Sequence, residues 1–299
     1  MYQRRFEGNI RKVRIINSIS DRQNELNLLQ TQFCARHLYD VATVLNYITW
    51  GLCIASSIVL PLISNTIGAY SIIIIAIISV ANLAVGFKSE RFVKLGAAYK
   101  MRFDYKLYQF EECNDYQGIT LKKLKQIAVK IIQRFPKSYE KAIMHNGTDK
   151  QKGVKDWYVG ISKELSQEEA IKKCQEQNGF FDKEIMKIAW WVFIGIIGVS
   201  IILIGIFCRE KTVESIALFA LSSSALIILI IKEIYRFVQV YSTYYFMDRV
   251  NEESDIPAKI RQKVIDDRRK LNLITPNIIY HFKTYKLHSL LKAEEHTQI

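Results

Sequence analysis

The sequence predicts an all-α membrane protein in which four transmembrane helices form two hairpins and a mostly helical domain lies in the cytoplasm. Two long apolar runs carry this prediction: residues 189–208 hold one ionisable side chain, a cysteine, and residues 215–231 hold none. A hydrocarbon core about 30 Å thick requires roughly 20 apolar helical residues, and backbone polar groups in lipid must be paired within the helix. Residues 41–63 and 67–87 repeat the arrangement around a short polar break at 64–66.

The distribution of basic residues orients these spans. Lys and Arg are frequent before the first hairpin, between the hairpins and after the second, whereas the short turns hold only Arg209 and Lys211. The positive-inside rule therefore predicts a multi-pass protein with both termini and the middle segment in the cytoplasm. The same rule accounts for the formal net charge of +13, so no nucleic acid polymer is expected as a partner. The partner that the pattern requires is a lipid bilayer.

The spans divide the chain into five predicted segments. They are 1–42, a cytoplasmic basic segment with an amphipathic helix; 43–87, the first transmembrane hairpin; 88–187, a cytoplasmic helical domain; 188–237, the second hairpin; and 238–299, a cytoplasmic helical C-terminal region. Every soluble segment is thus joined directly to a membrane hairpin.

The N-terminal helix is predicted to begin near Ser18, and Ser20 has capping-box spacing to Gln23. No Gly or Pro follows before the first span, so this helix is expected to continue into the membrane. Residues 103–110 alternate polar and apolar side chains. They fit either a short strand or a turn of helix, because so short a segment has no decisive periodicity.

Capping residues also predict two helices in the middle segment. Thr120 is expected to cap a helix with one apolar face, and Pro136 closes it. Ser166 and Glu169 form a second capping box, which opens a helix that is expected to end near residue 178.

Two more helices are predicted after the fourth span. Pro257 marks the start of the first, and Pro276 is expected to end it. A last helix is predicted over residues 277–293. The acidic and basic side chains of residues 266–269 are interpreted as a solvated charge run.

The helix predicted after Thr120 has a basic face formed by Lys122, Lys123, Lys125 and Lys130. Such a face is either solvated or a surface for acidic headgroups or a phosphate ligand. The residues alone leave both interpretations open.

The sequence carries no familiar catalytic or cofactor motif. It lacks the Gly-rich phosphate loops, the H-E-x-x-H zinc motif and the G-x-S-x-G nucleophile motif. The five cysteines are irregularly spaced without a C-x-x-C, and the histidines form no pair at ligand spacing. No disulfide framework, metal site or cofactor is therefore predicted, and the chain is not expected to be an enzyme.

The spans lack the mid-bilayer Asp, Glu, Lys and His residues of pumps and ion-coupled transporters. One amide, Asn82, is expected either to bond another helix or to line a water-filled lumen. Small residues lie at helical spacing on the second hairpin: Gly195, Gly198, Gly205, Ala217, Ala220 and Ser224. They are interpreted either as packing within one four-helix bundle or as an assembly face or pore lining made by several subunits.

Short motifs follow one another in a characteristic order around the spans: Arg22-Gln23-Asn24, Phe103-Asp104, Asp156-Trp157-Tyr158, Cys174-Gln175 with Asn178, and Phe181-Asp182. Their order and placement resemble the SMODS-associating four-transmembrane effectors over about residues 18–240. Two positions depart from the family pattern: Glu176 stands where the family favours Arg, and Phe181 where it favours Trp.

The resemblance implies a bacterial inner-membrane effector of anti-phage defence that is encoded beside a cyclic-oligonucleotide synthase. Such an effector is expected to form a homo-oligomer and to open a pore in response to a cyclic oligonucleotide, causing depolarisation and growth arrest. The signal would have to bind the open or assembled state better than the resting one. The resemblance carries no catalytic residue.

The motifs also supply candidates for a ligand-binding or structural cluster: Asp156, Trp157, Tyr158, Gln175 and Asn178, with Lys122 and Lys125 as cations suited to an anionic messenger. The alternative for Trp157 and Tyr158 is packing in the core against the helix that follows Ser166.

Two other functions remain open. The chain could be a membrane sensor or scaffold that recruits a cytoplasmic partner without forming a pore, or a membrane-bound enzyme acting on a lipid or nucleotide. Ion flux distinguishes a pore from a scaffold. An enzyme would require acidic or His residues that the fold brings together.

Overall fold

The computed structural model describes residues 18–59, 68, 70–149, 151, 153–208, 213–253 and 256–271, which are mostly helical. The elements in chain order are α1 (Ile19–Arg22), α2 (Leu26–Ile54), α3 (Tyr70–Leu107), β1 (Asp115–Tyr116), β2 (Ile119–Thr120), α4 (Leu121–Arg134), α5 (Pro136–Met144), α6 (Gln167–Cys208), α7 (Val213–Glu252) and α8 (Ala258–Lys270). A π-helical turn, Ala55–Val59, continues α2. The predicted turn at 64–66 and the predicted last helix at 277–293 lie outside the described residues.

The N-terminal segment differs from the single helix that was predicted. Helix α1 is one turn long, and its N-cap, Ser18, makes no side-chain capping bond. The chain is extended at Glu25, after which α2 begins. The predicted capping box of Ser20 and Gln23 is therefore wrong, because the side chain of Gln23 bonds the backbone of Tyr158 instead.

Helices α2 and α3 pack side by side and form the main core with β1, β2, α4 and α5. At their contact, a Cβ on Gly96 would lie 3.1 Å from the ring of Tyr39, so glycine allows the close approach. The hydroxyl of Tyr99 donates to the carbonyl of Leu124 at 2.5 Å, which fixes α4 on α3. Since α3 continues to Leu107, the start of the ambiguous segment at 103–110 is helical.

The hairpin and α4 follow from local sequence signals. Gln117 and Gly118 both have positive φ, 56° and 74°, which matches the twist of a tight antiparallel hairpin. Thr120 Oγ1 then accepts a bond from the backbone N–H of Lys123 at 3.4 Å, so the predicted N-cap is confirmed. Pro136 is the first residue of α5, where a missing N–H costs nothing.

Helix α6 begins with the predicted capping box. Ser166 Oγ accepts from the N–H of Glu169 at 3.3 Å, and the carboxylate of Glu169 accepts from the N–H of Ser166 at 2.8 Å. The predicted end near residue 178 is wrong, because α6 continues as one helix of 42 residues. A Cβ on Gly179 would lie 3.1 Å from Cε of Met247, so this glycine serves the approach of α7 and does not end the helix.

Helix α8 begins directly after Pro257, as predicted, and ends at Lys270, before the predicted stop at Pro276. It packs its apolar residues against α7 and α6; the buried members of this group are Met186, Val240, Tyr244, Met247, Val250, Val264 and Ile265. The C-terminal part of α7 therefore packs with α6 and α8 in the predicted cytoplasmic body, beyond the second predicted hairpin.

Two helices within the described residues, Leu26–Ser57 and Tyr70–Leu107, are long and apolar enough to cross a membrane. Helices α6 and α7 contain the other two predicted spans, but parts of their outer halves lie outside the residues whose side chains are described. Where α3 and α7 leave the predicted hydrocarbon region, Glu90 accepts from Lys232 and from Arg236, the latter at 2.7 Å. Glu90 on α3 therefore pairs with two cations on α7 at this level.

Candidate functional site

A buried polar cluster, here called the junction, joins the predicted cytoplasmic parts of the long helices. Its members are Asp104, Tyr108, Tyr158, Gln175, Asn178, Gln262, Asp266 and Arg269. Asp104 comes from the last turn of α3 and Tyr108 follows that helix directly, while the loop before α6, α6 itself and α8 supply the others. The three α8 residues are spaced by four and three positions, so they lie on one face of that helix.

An ion pair lies at the centre of the junction. Nη1 of Arg269 is 2.8 Å from Oδ2 of Asp104 and 3.5 Å from Oδ1 of Asp266. The amide of Gln262 donates to both carboxylates, at 3.1 Å and 3.0 Å. One cation therefore serves two carboxylates, and burial raises the pKa of Asp266 to about 6 although Arg269 opposes the rise.

The hydroxyl of Tyr158 connects three elements to this ion pair. It donates to Oδ1 of Asp104 at 3.1 Å, and it accepts from Nδ2 of Asn178 at 2.7 Å and from the hydroxyl of Tyr108 at 3.1 Å. A hydroxyl has one donor and two acceptor sites, so all three are used. Burial raises the pKa of Tyr158 well above its usual value, which keeps the donor proton in place.

The segment before α2 is bonded to the same loop by two reciprocal pairs. The side chain of Gln23 accepts from the N–H of Tyr158 at 2.9 Å and donates to its carbonyl at 3.3 Å. Asn24 donates to the carboxylate of Asp156 at 2.7 Å and accepts from its N–H at 3.0 Å. Asp156 has a φ of +43°, so the loop conformation is held against a backbone preference by these bonds.

Gln175 attaches α6 to the start of α8. Its Nε2 donates to the carbonyl of Ala258 at 2.9 Å and to Oε1 of Gln262 at 3.2 Å. Because Gln262 in turn bonds Asp104 and Asp266, the amides carry the network from α6 through α8 to α3.

A second ion pair joins three helices beside the junction. Nη1 of Arg268 on α8 lies 3.2 Å from the carboxylate of Asp182 on α6. The same guanidinium donates to the hydroxyl of Tyr244 on α7 at 3.2 Å. Helices α3, α6 and α7 are therefore each bonded directly to a residue in the range 262–269.

The predicted cluster is assembled in part. Tyr158, Gln175 and Asn178 are members of the junction, and Asp156 bonds the segment before α2 next to it. Trp157 packs at the side, with Nζ of Lys100 over its ring at 3.7 Å from the ring centre. Two further predicted members, Lys122 and Lys125, are exposed on α4 and share none of the junction's hydrogen bonds.

The predicted pore or assembly residues occupy two kinds of position. Asn82 donates to Sγ of Cys53 at 2.9 Å, which links α3 to α2. A Cβ on Gly195 or Gly198 would meet nothing within 4 Å, and both Ala220 and Ser224 are exposed on α7. These small residues therefore make no close helix contact with the described part of the chain. Gly205 and Ala217 lie in α6 and α7, and their surroundings are outside the described residues.

An open groove of about 410 Å³ lies beside the junction. It is lined by Ser20, Gln23, Asn146, Thr148, Asp156, Tyr158 and Val159 to Ser162. The charged residue of this lining, Asp156, is acidic, so the groove does not favour an anionic ligand. Cationic surface is found instead on α4, where the lysines are exposed.

The α8 members of the junction were missed by the sequence interpretation. Residues 266–269 were interpreted as a solvated charge run, which holds for Asp267 but is wrong for Asp266 and Arg269, both of which are buried. The available signal was the position of Arg269 four residues after the apolar Ile265, on the same side of the helix. The run of charged side chains at 266–269 made the segment look solvated.

The junction is suited to holding helices in register and not to catalysis. Its carboxylates are ion-paired with Arg269 and hydrogen-bonded to Gln262, and its hydroxyls are bonded to one another or to Asp104 and Asn178. Within the described residues, no group of three His, Cys, Asp or Glu side chains could hold a metal ion. Breaking one partner of a buried ion pair is costly, so movement of one helix must disturb the others.

Comparison with known proteins assigns the family. The model of the SMODS-associating 4TM effector domain matches residues 17–254, which is most of the chain. No curated protein matches the chain, and no solved structure matches it. The matched region begins beside α1 and ends just past α7, so it contains both apolar helices and all the predicted motifs. The chain is therefore a membrane protein that belongs to the SMODS-associating four-transmembrane effector family.

Proposed function

We propose that this chain acts in bacterial anti-phage defence by assembling into a homo-oligomer and opening a pore in the inner membrane when a nucleotide signal arrives. The expected result is depolarisation and growth arrest. Family membership supports the effector role and the link to a cyclic-oligonucleotide synthase. The proposed layout has four spans in two hairpins, with both termini in the cytoplasm.

The observation that best supports coupling between signal and membrane is the continuity of α3 and α6. Helix α3 runs without a break from Tyr70 to the turn that holds Asp104, and α6 runs from the level of Gln175 to Cys208. Both helices meet α8 in the junction. A rearrangement in the cytoplasmic body therefore changes the position of the predicted spans directly.

The exposed small residues support assembly over packing within one chain. Within the described part of the chain, the surfaces at Gly195, Gly198, Ala220 and Ser224 are open. Small residues in membrane helices favour close contact with another helix, so contact with a neighbouring subunit is the arrangement proposed for them. The spans carry no mid-bilayer charge, which suits a wide pore of low selectivity more than an ion-coupled transporter.

Lys122 and Lys125 are proposed as part of the surface that attracts the anionic messenger. Both lie exposed on α4, where an anionic ligand would gain from charge without a desolvation cost on buried groups. Replacing both by alanine should raise the messenger concentration needed for half-maximal leakage. Lys263→Ala, an exposed change on α8, is the matched control and should leave that concentration unchanged.

The experiment that tests the function uses the full chain in liposomes loaded with a fluorescent dye. Cyclic di- and trinucleotides are added separately, and dye release and membrane potential are recorded. Release that depends on one nucleotide supports a signal-gated pore. Absence of release with every nucleotide, at protein densities that permit assembly, would contradict it and favour a scaffold that recruits a cytoplasmic partner.

A further inference from the structure

We infer that the cytoplasmic extension of α7 pairs with the same helix of a second copy of this chain. The surface concerned, here called the α7 stripe, consists of Tyr235, Val238, Tyr241, Ser242 and Tyr245, all of which are exposed. At 100° per residue these positions lie within about a third of the helix circumference. The inference rests on the proposed function for the depth at which α7 sits in the membrane.

The stripe is one of two apolar sides of the same helix segment. Val240, Tyr244 and Met247 occupy the other side and are buried against α8 and α6. In contrast, the side chains of Tyr241 and Tyr245 are 78% and 61% exposed. The stripe is therefore an apolar helix face that the described part of the chain leaves uncovered.

Lipid does not reach the outer part of the stripe. The predicted hydrocarbon-spanning part ends near residue 234, where Lys232 and Arg236 bond Glu90. At 1.5 Å per residue, Tyr241 and Tyr245 lie about 10 Å and 16 Å beyond that level. The headgroup region adds only about 5–8 Å on each side, so both rings project past it.

The charge of the stripe favours a second copy over an anionic partner. The stripe itself has no charged side chain, and the nearest cation, the exposed Arg249, lies with its guanidinium 5.1 Å from the centre of the Tyr245 ring. The cations on the membrane side, Lys232 and Arg236, are paired with Glu90, so an extended anionic partner would meet mainly neutral side chains along this face. A surface with the same neutral tyrosines and valine complements itself.

The exposed area is large enough for such a pairing. Three tyrosines and one valine, exposed by about two thirds, present on the order of 500 Å², since an aromatic side chain carries roughly 200 Å². Two copies would then bury about 1,000 Å² in total, the lower limit for a specific interface.

Membrane insertion also fixes the symmetry of the pair. Two copies in one bilayer have the same orientation, so a twofold axis along the membrane normal places identical helices side by side and brings the same patch together. The exposed Ala220 and Ser224 continue the face of the stripe into the predicted span. The pairing surface can therefore extend from the cytoplasm into the lipid.

Cysteine crosslinking in native membranes tests the pairing. Ser242→Cys is introduced into the full chain together with Cys113→Ser, which removes an exposed thiol, and a short bis-maleimide is added. We expect a covalent dimer well above the level of the parent without the new cysteine. Lys94→Cys, exposed on α3 at a similar predicted depth, is the control and should give no added dimer. Equal yields at the two positions, or none at 242, would overturn the inference.

A second measurement uses the mass of the purified assembly in detergent. Tyr241→Glu with Tyr245→Glu should reduce the oligomer to a smaller species, because two carboxylates would meet two others across the axis. Tyr241→Phe with Tyr245→Phe keeps the apolar area and should preserve the mass. A glutamate variant that keeps its thermal transition and its oligomeric mass would overturn the pairing.

Each alternative occupant of the α7 stripe, the C-terminal segment or the membrane surface, would give a distinct result. An intrachain crosslink between cysteines at Ser242 and Leu287, with no dimer, would assign the stripe to the C-terminal segment. Quenching of a dye at position 242 by headgroup-labelled lipid, again with no dimer, would assign it to the membrane surface. Either result rejects the pairing. A crosslinked dimer without dye leakage retains the pairing and rejects the pore, whereas leakage without the dimer does the reverse.

Discussion

Nη1 of Arg269 lies 2.8 Å from Oδ2 of Asp104, and both side chains are buried, with 8% and 1% of the residue exposed. This pair joins α8 to the last turn of α3, which continues into a predicted span. The strength of this ion pair therefore affects how firmly the predicted cytoplasmic body is held to α3.

Replacing Arg269 by methionine should destabilise the cytoplasmic body by about 3–5 kcal/mol, because Asp104 and Asp266 would remain buried without their cation. The thermal transition of the protein in detergent measures the effect. The neighbouring Lys270→Ala alters an exposed pair with Asp267 and should cost no more than about 0.5 kcal/mol. Equal losses of stability for the two variants would show that the buried ion pair contributes no more to stability than the exposed one.

Asp266 should make stability fall as the pH rises from about 4 to about 6. Its pKa in the folded chain is raised from 3.8 to about 6, mainly by burial. Between those values the folded state binds more protons than the unfolded state, so raising the pH favours unfolding. The groups that face Asp266 are Asp104, Tyr105, Cys113, Gln262 and Arg269.

Asp266→Asn should remove this contribution, which amounts to roughly 3 kcal/mol at most. The measurement is the thermal transition between about pH 4 and pH 6.5, reported as the difference between variant and parent, since other carboxylates change the absolute curve. Asp267→Asn, at an exposed position, should give a difference that does not vary with pH. A flat difference for Asp266→Asn would contradict the assignment.

Gly153→Ala should prevent the loop before α6 from forming. An added Cβ would lie 1.6 Å from the carbonyl oxygen of His145, and the N–H of Gly153 bonds Asn146 at 2.8 Å. The backbone must therefore move, at a cost of several kcal/mol. Limited proteolysis and the thermal transition report the change.

Gly147→Ala provides the matched control in the same loop. Its new Cβ would meet ordinary contacts, the nearest at 3.6 Å from the carbonyl oxygen of Lys155. This variant should stay within about 1 kcal/mol of the parent. A destabilised Gly147→Ala with a tolerated Gly153→Ala would reverse the expected order.

Gly198→Leu and Ser224→Leu should abolish growth arrest in cells while leaving the amount of membrane-inserted protein unchanged. Both positions are open within the described part of the chain, so a larger side chain is expected to affect contact between subunits before it affects the fold. Growth after induction and membrane potential are the measurements.

Val199→Leu and Ile228→Leu are the controls for these variants, because both positions are already large and exposed. They should arrest growth as the parent does. Full activity of Gly198→Leu and Ser224→Leu would place assembly on another surface.

The success of the sequence predictions depends on how local the physical cause is. Thr120 and the Ser166–Glu169 box cap their helices through bonds to residues three positions away, and both were predicted correctly. Gln23 has the same kind of local signal, but its partner is Tyr158, and the prediction failed. A capping partner three positions away can be recognised in the local sequence, whereas a partner far along the chain cannot.

The candidate site shows the same division. The motifs identified Tyr158, Gln175 and Asn178, which the fold does bring together. Asp266 and Arg269 were judged by their charged neighbours in sequence, although their decisive partner, Asp104, belongs to another helix. The helix after Ser166 was predicted to end near residue 178, but it continues, and the approach of α7 at Gly179 cannot be seen in the sequence.

The length of α6 has a mechanical consequence. From Gln175 to Cys208 the helix is about 50 Å long, at 1.5 Å per residue. If the junction acts as a fulcrum, a tilt of about 5° there displaces the far end by roughly 4 Å, more than the ~2.8 Å diameter of a water molecule. In the proposed pore, a small rearrangement among the side chains of the junction would therefore be enough to change the width of the opening at the far end of α6.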